Sequence, residues 1–276
     1  MPYLKEFYDT LYAEGRTTVS DTFIDKPALM KYLLMEVHEG KNILDWGCGA
    51  GDLIAWLAHG ASHAVGYDFS DAAISLARKR HLPSVPSDNL RFMSGSQANL
   101  LPNDWDLITC IGTLEHLDDP AQQVKDFAEA LEPGGLLVIQ TPSWLNRRGD
   151  IYHTLRTAVG LKMTLTDRHF FQPDDVPRMA VNAGLKVERT IGSHYDLAAG
   201  VRMVRDIITR LDHIFMQTHG DVDIPGFATY FNKTPLFSQP LDVFDRIPDA
   251  EVEPYCCDVY PWNQTGAATT YFLRKP

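Results

Sequence analysis

Residues 43–52 read Ile43-Leu44-Asp45-Trp46-Gly47-Cys48-Gly49-Ala50-Gly51-Asp52. A short apolar run closes on Gly-x-Gly-x-Gly and passes into a helical pattern. A strand therefore turns into a helix through a loop whose backbone can approach a ligand closely. A dinucleotide-binding loop is spaced Gly-x-Gly-x-x-Gly, and its third glycine lets a pyrophosphate sit at the helix N-terminus. Here that third position is Asp52, and the glycine comes one residue early, at Gly51. Asp45 before the loop and Asp52 at the helix start repel phosphate. The pattern disfavours NAD and suits a ligand that carries positive charge. Taken alone, the three glycines are also compatible with a tight turn that binds nothing.

Outward from the loop, strand-like and helical segments alternate. Pro27–His38 predicts a helix with Pro in its first turn and Gly40 past its end. Strands follow at 42–45, 64–68, 90–93, 105–110 and 136–140, with helices at 52–58, 71–79 and 121–131. Pro133-Gly134-Gly135 reads as the turn into the fifth strand. A helix at 173–183, a sixth strand at 185–191 and a last one at 269–274 complete the set. Regular alternation of this kind predicts an α/β fold, a doubly wound, Rossmann-like sheet of seven strands with ligands at the strands' carboxyl ends. Residues 142–170 and 193–266 break the rhythm and read as an insert capping the sheet. The second of these opens with apolar residues on one helical face, from Leu197 to Phe215. The expected organisation is a lid helix in 1–26, a ligand-binding domain in 27–192 plus 267–276, and an α-helical or irregular cap in 193–266 before the last strand.

Composition narrows the function. The chain has 276 residues, 45% of them hydrophobic, enough for a substantial core. Its formal charge is −11, from 25 basic and 36 acidic residues, which argues against a nucleic-acid partner. No apolar run approaches the roughly 18 residues of a membrane span, and the acidic N-terminus is unlike a signal peptide. A cytoplasmic protein with no membrane contact is expected. Cys48, Cys110, Cys256 and Cys257 read as reduced thiols, and no metal-ligand spacing appears.

With these residues in hand, the chain resembles the class I S-adenosylmethionine-dependent methyltransferases. Leu44 to Gly51 is similar to their first motif, and Gly66-Tyr67-Asp68-Phe69-Ser70 to their second strand. Asp106-Leu107-Ile108, Leu114-Glu115-His116-Leu117 and Leu131-Glu132-Pro133-Gly134-Gly135-Leu136 resemble the later motifs of the group that includes ubiquinone-pathway O-methyltransferases. His169-Phe170-Phe171 and Ala183-Gly184-Leu185 match the segment after the fifth strand, and Tyr271 to Lys275 the family's antiparallel last strand. The resemblance implies S-adenosylmethionine as cofactor. It implies Asp45, Gly47, Cys48, Gly49 and Gly51 around the methionine part, and Asp68 on the ribose hydroxyls. Phe69 then lies against the adenine, Ser96 or Gln97 at its edge, and Cys110 or Ile111 along the cofactor. Where the family commonly has an acid, this chain has Ser96 followed by Gln97.

Methyl transfer to a hydroxyl needs alignment, exclusion of water and a base. Candidate bases are His116 after the fourth strand, and His153, His169 and His194 in or beside the insert. Glu115 and His116 have a structural reading as well. Arg147, Arg148, Arg156, Lys162 and Arg168 outnumber Asp150 and Asp167 in 142–170, which suggests either an anionic small-molecule acceptor or a solvated loop face. Tyr3, Phe7, Tyr8 and Tyr12 are spaced for a helix over the cofactor pocket, or for ordinary packing. Trp144, Tyr152, Phe170, Tyr195, Phe231 and Trp262 line an acceptor pocket or form the insert's core. N-methylation, a protein substrate, a non-catalytic binding role and a homodimer stay open.

Overall fold

Strand and helix follow one another as the alternation requires. The computed structural model describes residues 2–13, 34–35, 37–83, 89–95, 104–144, 146–158, 160, 166–193, 256–257, 263 and 266–276. The strands are β1 (Asn42–Trp46), β2 (His63–Asp68), β3 (Leu90–Ser94), β4 (Trp105–Ile111), β5 (Leu131–Pro142), β6 (Lys186–Ser193), β7 (Cys256–Cys257) and β8 (Ala268–Arg274). The helices are α1 (Pro2–Ala13), α2 (Asp52–Leu57), α3 (Asp71–His81), α4 (Pro120–Ala130), α5 (Arg147–Ala158) and α6 (Asp175–Asn182).

Strand order is β3-β2-β1-β4-β5-β8-β6-β7. β1, β2, β3, β4 and β5 pair in parallel. The order reverses between β1 and β4, which is where an open α/β sheet leaves a crevice at its carboxyl edge. β8 is antiparallel to β5: Gly134 N donates to Lys275 O at 3.0 Å and Lys275 N to Gly135 O at 2.9 Å. All seven expected strands are present. An eighth, the two-residue β7, pairs antiparallel with β6 at Gly192 and Cys257. Two residues carry no alternation, so the sequence pattern could not show it.

The central strands read as unbroken apolar runs because both faces are covered. Leu137, Val138 and Ile139 of β5 are fully buried, as are Ile43 of β1 and Ile108 of β4. Each such side chain contributes roughly 1.5–3 kcal/mol through burial. The helix starts also follow from sequence: Asp119 accepts from Gln122 N at 2.9 Å ahead of Pro120, and Ser70 accepts from Ala73 N at 3.1 Å to cap α3.

Pro133-Gly134-Gly135 departs from expectation. β5 begins earlier, at Leu131, and carries these residues as a bulge. Trp105 pairs with Leu131, and the next pair is already Leu107 with Leu136. The extra residues of β5 loop out with Gly134 at φ 78°. Turn chemistry was present, but β8 holds it inside the sheet rather than before it. Of the expected helix at 27–38, only 34–35 and 37–38 are described. The amphipathic stretch 197–215 lies outside the described residues.

The chain divides into two compact units. One comprises Met1–Gln140, Pro177–Glu188 and Phe272–Pro276, and the other Thr141–Val176 and Arg189–Tyr271. Within the second, α5 was not legible in sequence: Arg147-Arg148-Gly149-Asp150-Ile151-Tyr152 has no apolar stripe and a glycine in its first turn. Asn146 starts it, accepting from Gly149 N at 3.1 Å through Oδ1 while Nδ2 donates to Ala267 O at 3.3 Å. Asn146→Ala should therefore lower unfolding free energy by about 1–2 kcal/mol. Asn146→Asp keeps the cap acceptor and should cost less. Urea unfolding of the two variants checks the ranking.

Candidate functional site

The glycine loop is fastened to the end of β2. Gly47 N and Cys48 N both donate to Tyr67 O, at 2.8 and 2.9 Å, and Gly51 N closes a turn on Cys48 O at 2.9 Å. Gly47, Gly49 and Gly51 have φ of 79°, 53° and 83°, the left-handed region that favours glycine. Space is scarce as well. A Cβ on Gly49 would lie 2.5 Å from the Tyr12 hydroxyl, and one on Gly47 would overlap the side chain of Thr113.

Two acids stand at the strand ends facing this loop. Asp68, 5% exposed, accepts from Gly49 N through Oδ2 and from Ser70 N through Oδ1, both at 2.9 Å. Each oxygen keeps acceptor capacity for a further hydroxyl. Burial raises its pKa despite those two hydrogen bonds. Asp45 is buried beside β4, where the Thr109 hydroxyl donates to its Oδ1 at 2.7 Å. Burial pushes Asp45 up to about 7, against the Thr109 hydrogen bond and with the help of the Asp68 charge. Thr109 was not singled out from sequence. Only its cross-strand pairing with Asp45 reveals it.

The remaining cofactor candidates fall differently. Cys48 is half-buried, and its thiol is pushed up by burial and then by the two acids. Cys110 is fully buried and likewise raised by burial, while Ile111 is partly exposed. Of that pair, Ile111 is the one that offers surface, because alternate strand residues face opposite ways. Ser96 and Gln97 lie outside the described residues.

α1 packs on this loop. Tyr12, Ala50 and Ala73 form a buried cluster with Tyr8, Leu11, Ala72 and Leu76 against it. The Tyr8 ring meets Phe69 edge-on at 5.6 Å and lies 6.2 Å from the His116 ring. His116 sits in the 3-10 turn Leu114–His116 after β4, and Glu115 beside it is buried.

The second unit holds a cavity of about 860 Å³. Its lining includes Trp144, Asp150, His153, Asp167, His169 and Phe170, so two of the candidate histidines share one space. The His153 ring packs edge-on to Phe170 at 5.3 Å and the His169 ring stacks on Phe171 at 5.7 Å. Asp150 is raised by burial, and His153 opposes that shift. No lysine or arginine stands among the described lining residues. Arg156 is buried with its guanidinium over the Tyr152 ring, and Arg168 is exposed. The expected anionic acceptor thus finds no support in the described lining. The side chains of Arg147 and Arg148 lie outside the described residues, with Lys162, His194, Tyr195, Phe231, Trp262 and the Cys256 and Cys257 side chains. Among the described residues no group of His, Cys, Asp and Glu could hold a metal, and no helix is long and apolar enough to cross a membrane.

The buried Asp45 has a stability consequence. Its pKa is raised on folding from the ordinary 3.8 to about 7, so the folded chain holds this proton more tightly than the unfolded one. That contribution is complete below pH 4 and is lost as pH rises to 7, on the order of 4 kcal/mol in all. Asp45→Asn should remove the dependence, so its stability relative to the parent should grow from pH 4 to pH 7.5 in urea unfolding. A constant difference would contradict it.

The donor set fits S-adenosylmethionine: buried acids for its cationic sulfonium and ammonium, a carboxylate with spare acceptors for a ribose diol, and a tightly covered glycine loop. A methyltransferase domain family model matches residues 20–190. The chain is 34% identical over 166 residues to the ubiquinone biosynthesis O-methyltransferase of Nitrosospira multiformis, across 57% of this chain and 67% of that one. Its fold is similar to a Thermotoga maritima SAM-dependent methyltransferase (14% identity, TM-score 0.54, covering 90% and 87% of the two chains). It is also similar to the YcgJ protein of Bacillus subtilis (14%, TM-score 0.55, 90% and 98%). The chain belongs to the methyltransferase domain family and is an S-adenosylmethionine-dependent methyltransferase.

Proposed function

We propose that this enzyme moves the methyl group of S-adenosylmethionine to a hydroxyl oxygen of a small molecule. The observation that carries the reading is the 34% identity to a relative named for O-methylation in ubiquinone biosynthesis. The cofactor supplies a methyl group on a sulfonium sulfur, already activated for displacement in line with the departing thioether. The protein's part is to orient donor and acceptor, exclude water and accept the hydroxyl proton.

On this reading Asp68 holds the ribose hydroxyls and Asp45 lies toward the cationic methionine part. Gly47, Cys48, Gly49 and Gly51 line the cofactor's path, with Phe69 against the base and Ile111 beside it. The base must reach the attacking oxygen. Of the three described candidates, His116 shares a unit with the glycine loop and Asp68, and it follows directly on β4. It is the reading's general base. His153 and His169 lie in the other unit, where they line the 860 Å³ cavity with Trp144 and Phe170.

The test is transfer of labelled methyl to a panel of catechols and simple phenols, with aromatic amines alongside. Oxygen-methylated products are expected. Methylated amines with every phenol inert would overturn the assignment. His116→Ala should lower kcat by roughly 10²-fold or more at unchanged S-adenosylhomocysteine affinity.

A further inference from the structure

α1 does more than cover apolar surface. Asp9, on the face of α1 that also carries Lys5 and Tyr12, reaches the first turn of α3. The Ser70 hydroxyl donates to Asp9 Oδ1, and Ala72 N approaches the same oxygen at 3.4 Å. Lys5 Nζ binds Asp9 at 2.8 Å and Asp71 at 2.9 Å, fastening the helix at a second point on the same turn. Burial of Asp9 is outweighed by these hydrogen bonds, so its carboxyl is held below the ordinary value. Each exposed ion pair alone is worth little. Their placement is what matters.

Ser70 is the joint of this arrangement. Its side chain caps α3 through Ala73 N and donates to Asp9, while its backbone N–H donates to Asp68 Oδ1. Asp9 and Asp68 therefore grip the same residue from two sides, and Asp68 grips Gly49 as well. The charges of Asp9 and Lys5 are both felt at the Asp68 carboxyl. Apolar packing of Tyr8, Leu11 and Tyr12 holds α1 on the loop but leaves rotation and sliding weakly determined. Directional hydrogen bonds to one turn of α3 settle both.

We propose that Asp9 is a positioning residue of the cofactor site: by anchoring α1 to Ser70 it holds Tyr12 on Gly49 and Tyr8 on Phe69, so that α1 is a wall of the site and is tightened when the cofactor binds. The proposal rests on the cofactor lying at the glycine loop and Asp68. By linkage, a ligand on Asp68 stabilises α1 docking as much as docking stabilises the ligand.

The experiment pairs calorimetric titration of S-adenosylhomocysteine with amide hydrogen exchange of residues 5–13, on the full chain. In the parent, the ligand should slow exchange in this segment at least tenfold. Asp9→Ala should weaken binding about tenfold and abolish that protection, with an unchanged circular dichroism spectrum. Asp9→Asn, whose amide oxygen still accepts from Ser70, should restore affinity to within about threefold of the parent. Parental affinity in Asp9→Ala, unaltered protection of α1, or an Asn variant as weak as the Ala variant would each overturn the proposal. A parent that does not bind S-adenosylhomocysteine would instead overturn the cofactor assignment beneath it.

Discussion

The carboxylate of Asp68 is the constraint around which the site is built. It stands at the end of β2 and takes one hydrogen bond from the glycine loop and one from the start of α3. Loop and helix follow different strands, so only a group that projects past the sheet edge can fix both. Burying an anion there is costly, and the raised pKa records that cost. Two backbone N–H donors offset part of it. A ribose diol would add two more and leave the carboxylate more fully satisfied than it is without a ligand.

Asp45 extends the same logic one strand over. Its neighbour across β1 and β4 is Thr109, whose hydroxyl satisfies one carboxylate oxygen at the sheet's reversal point. With a pKa near 7 and Asp68 close by, the pair of acids makes this edge of the sheet receptive to a cation. The Gly-x-Gly-x-Gly spacing and the placement of Asp52 point the same way from sequence: they disfavour a pyrophosphate loop.

Legibility was uneven for physical reasons. The strands were readable because buried parallel strands require apolar runs, as in Leu136-Leu137-Val138-Ile139. α5 was not, because its stability comes from Asn146 and tertiary packing rather than from an apolar stripe. The bulge at 132–135 needed knowledge that β8 pairs there, a contact remote in sequence. Within the site, Asp68 and the glycines were visible through their spacing. Thr109, Thr113 and Asp9 were not, since each matters only through a partner far along the chain. Arg156 belongs to the segment's basic excess, yet it is buried with its guanidinium over Tyr152, which counting charges could not show. His116 already led among the candidate bases in sequence, by its position after the fourth strand at the carboxyl end of the sheet. The structure places His116 in the unit of the glycine loop, and His153 and His169 in the other unit, lining its cavity.

The central claim is that the glycine loop and Asp68 hold an adenosyl cofactor, not a dinucleotide. Parallel calorimetric titration of the parent chain and Asp68→Ala with S-adenosylmethionine and NAD tests it most directly. The account predicts saturable binding of S-adenosylmethionine by the parent, a loss on the order of 1–3 kcal/mol in Asp68→Ala as for a charge-assisted hydrogen bond, and no response to NAD from either. Equal affinity in the two proteins, or preferential binding of NAD, would contradict it.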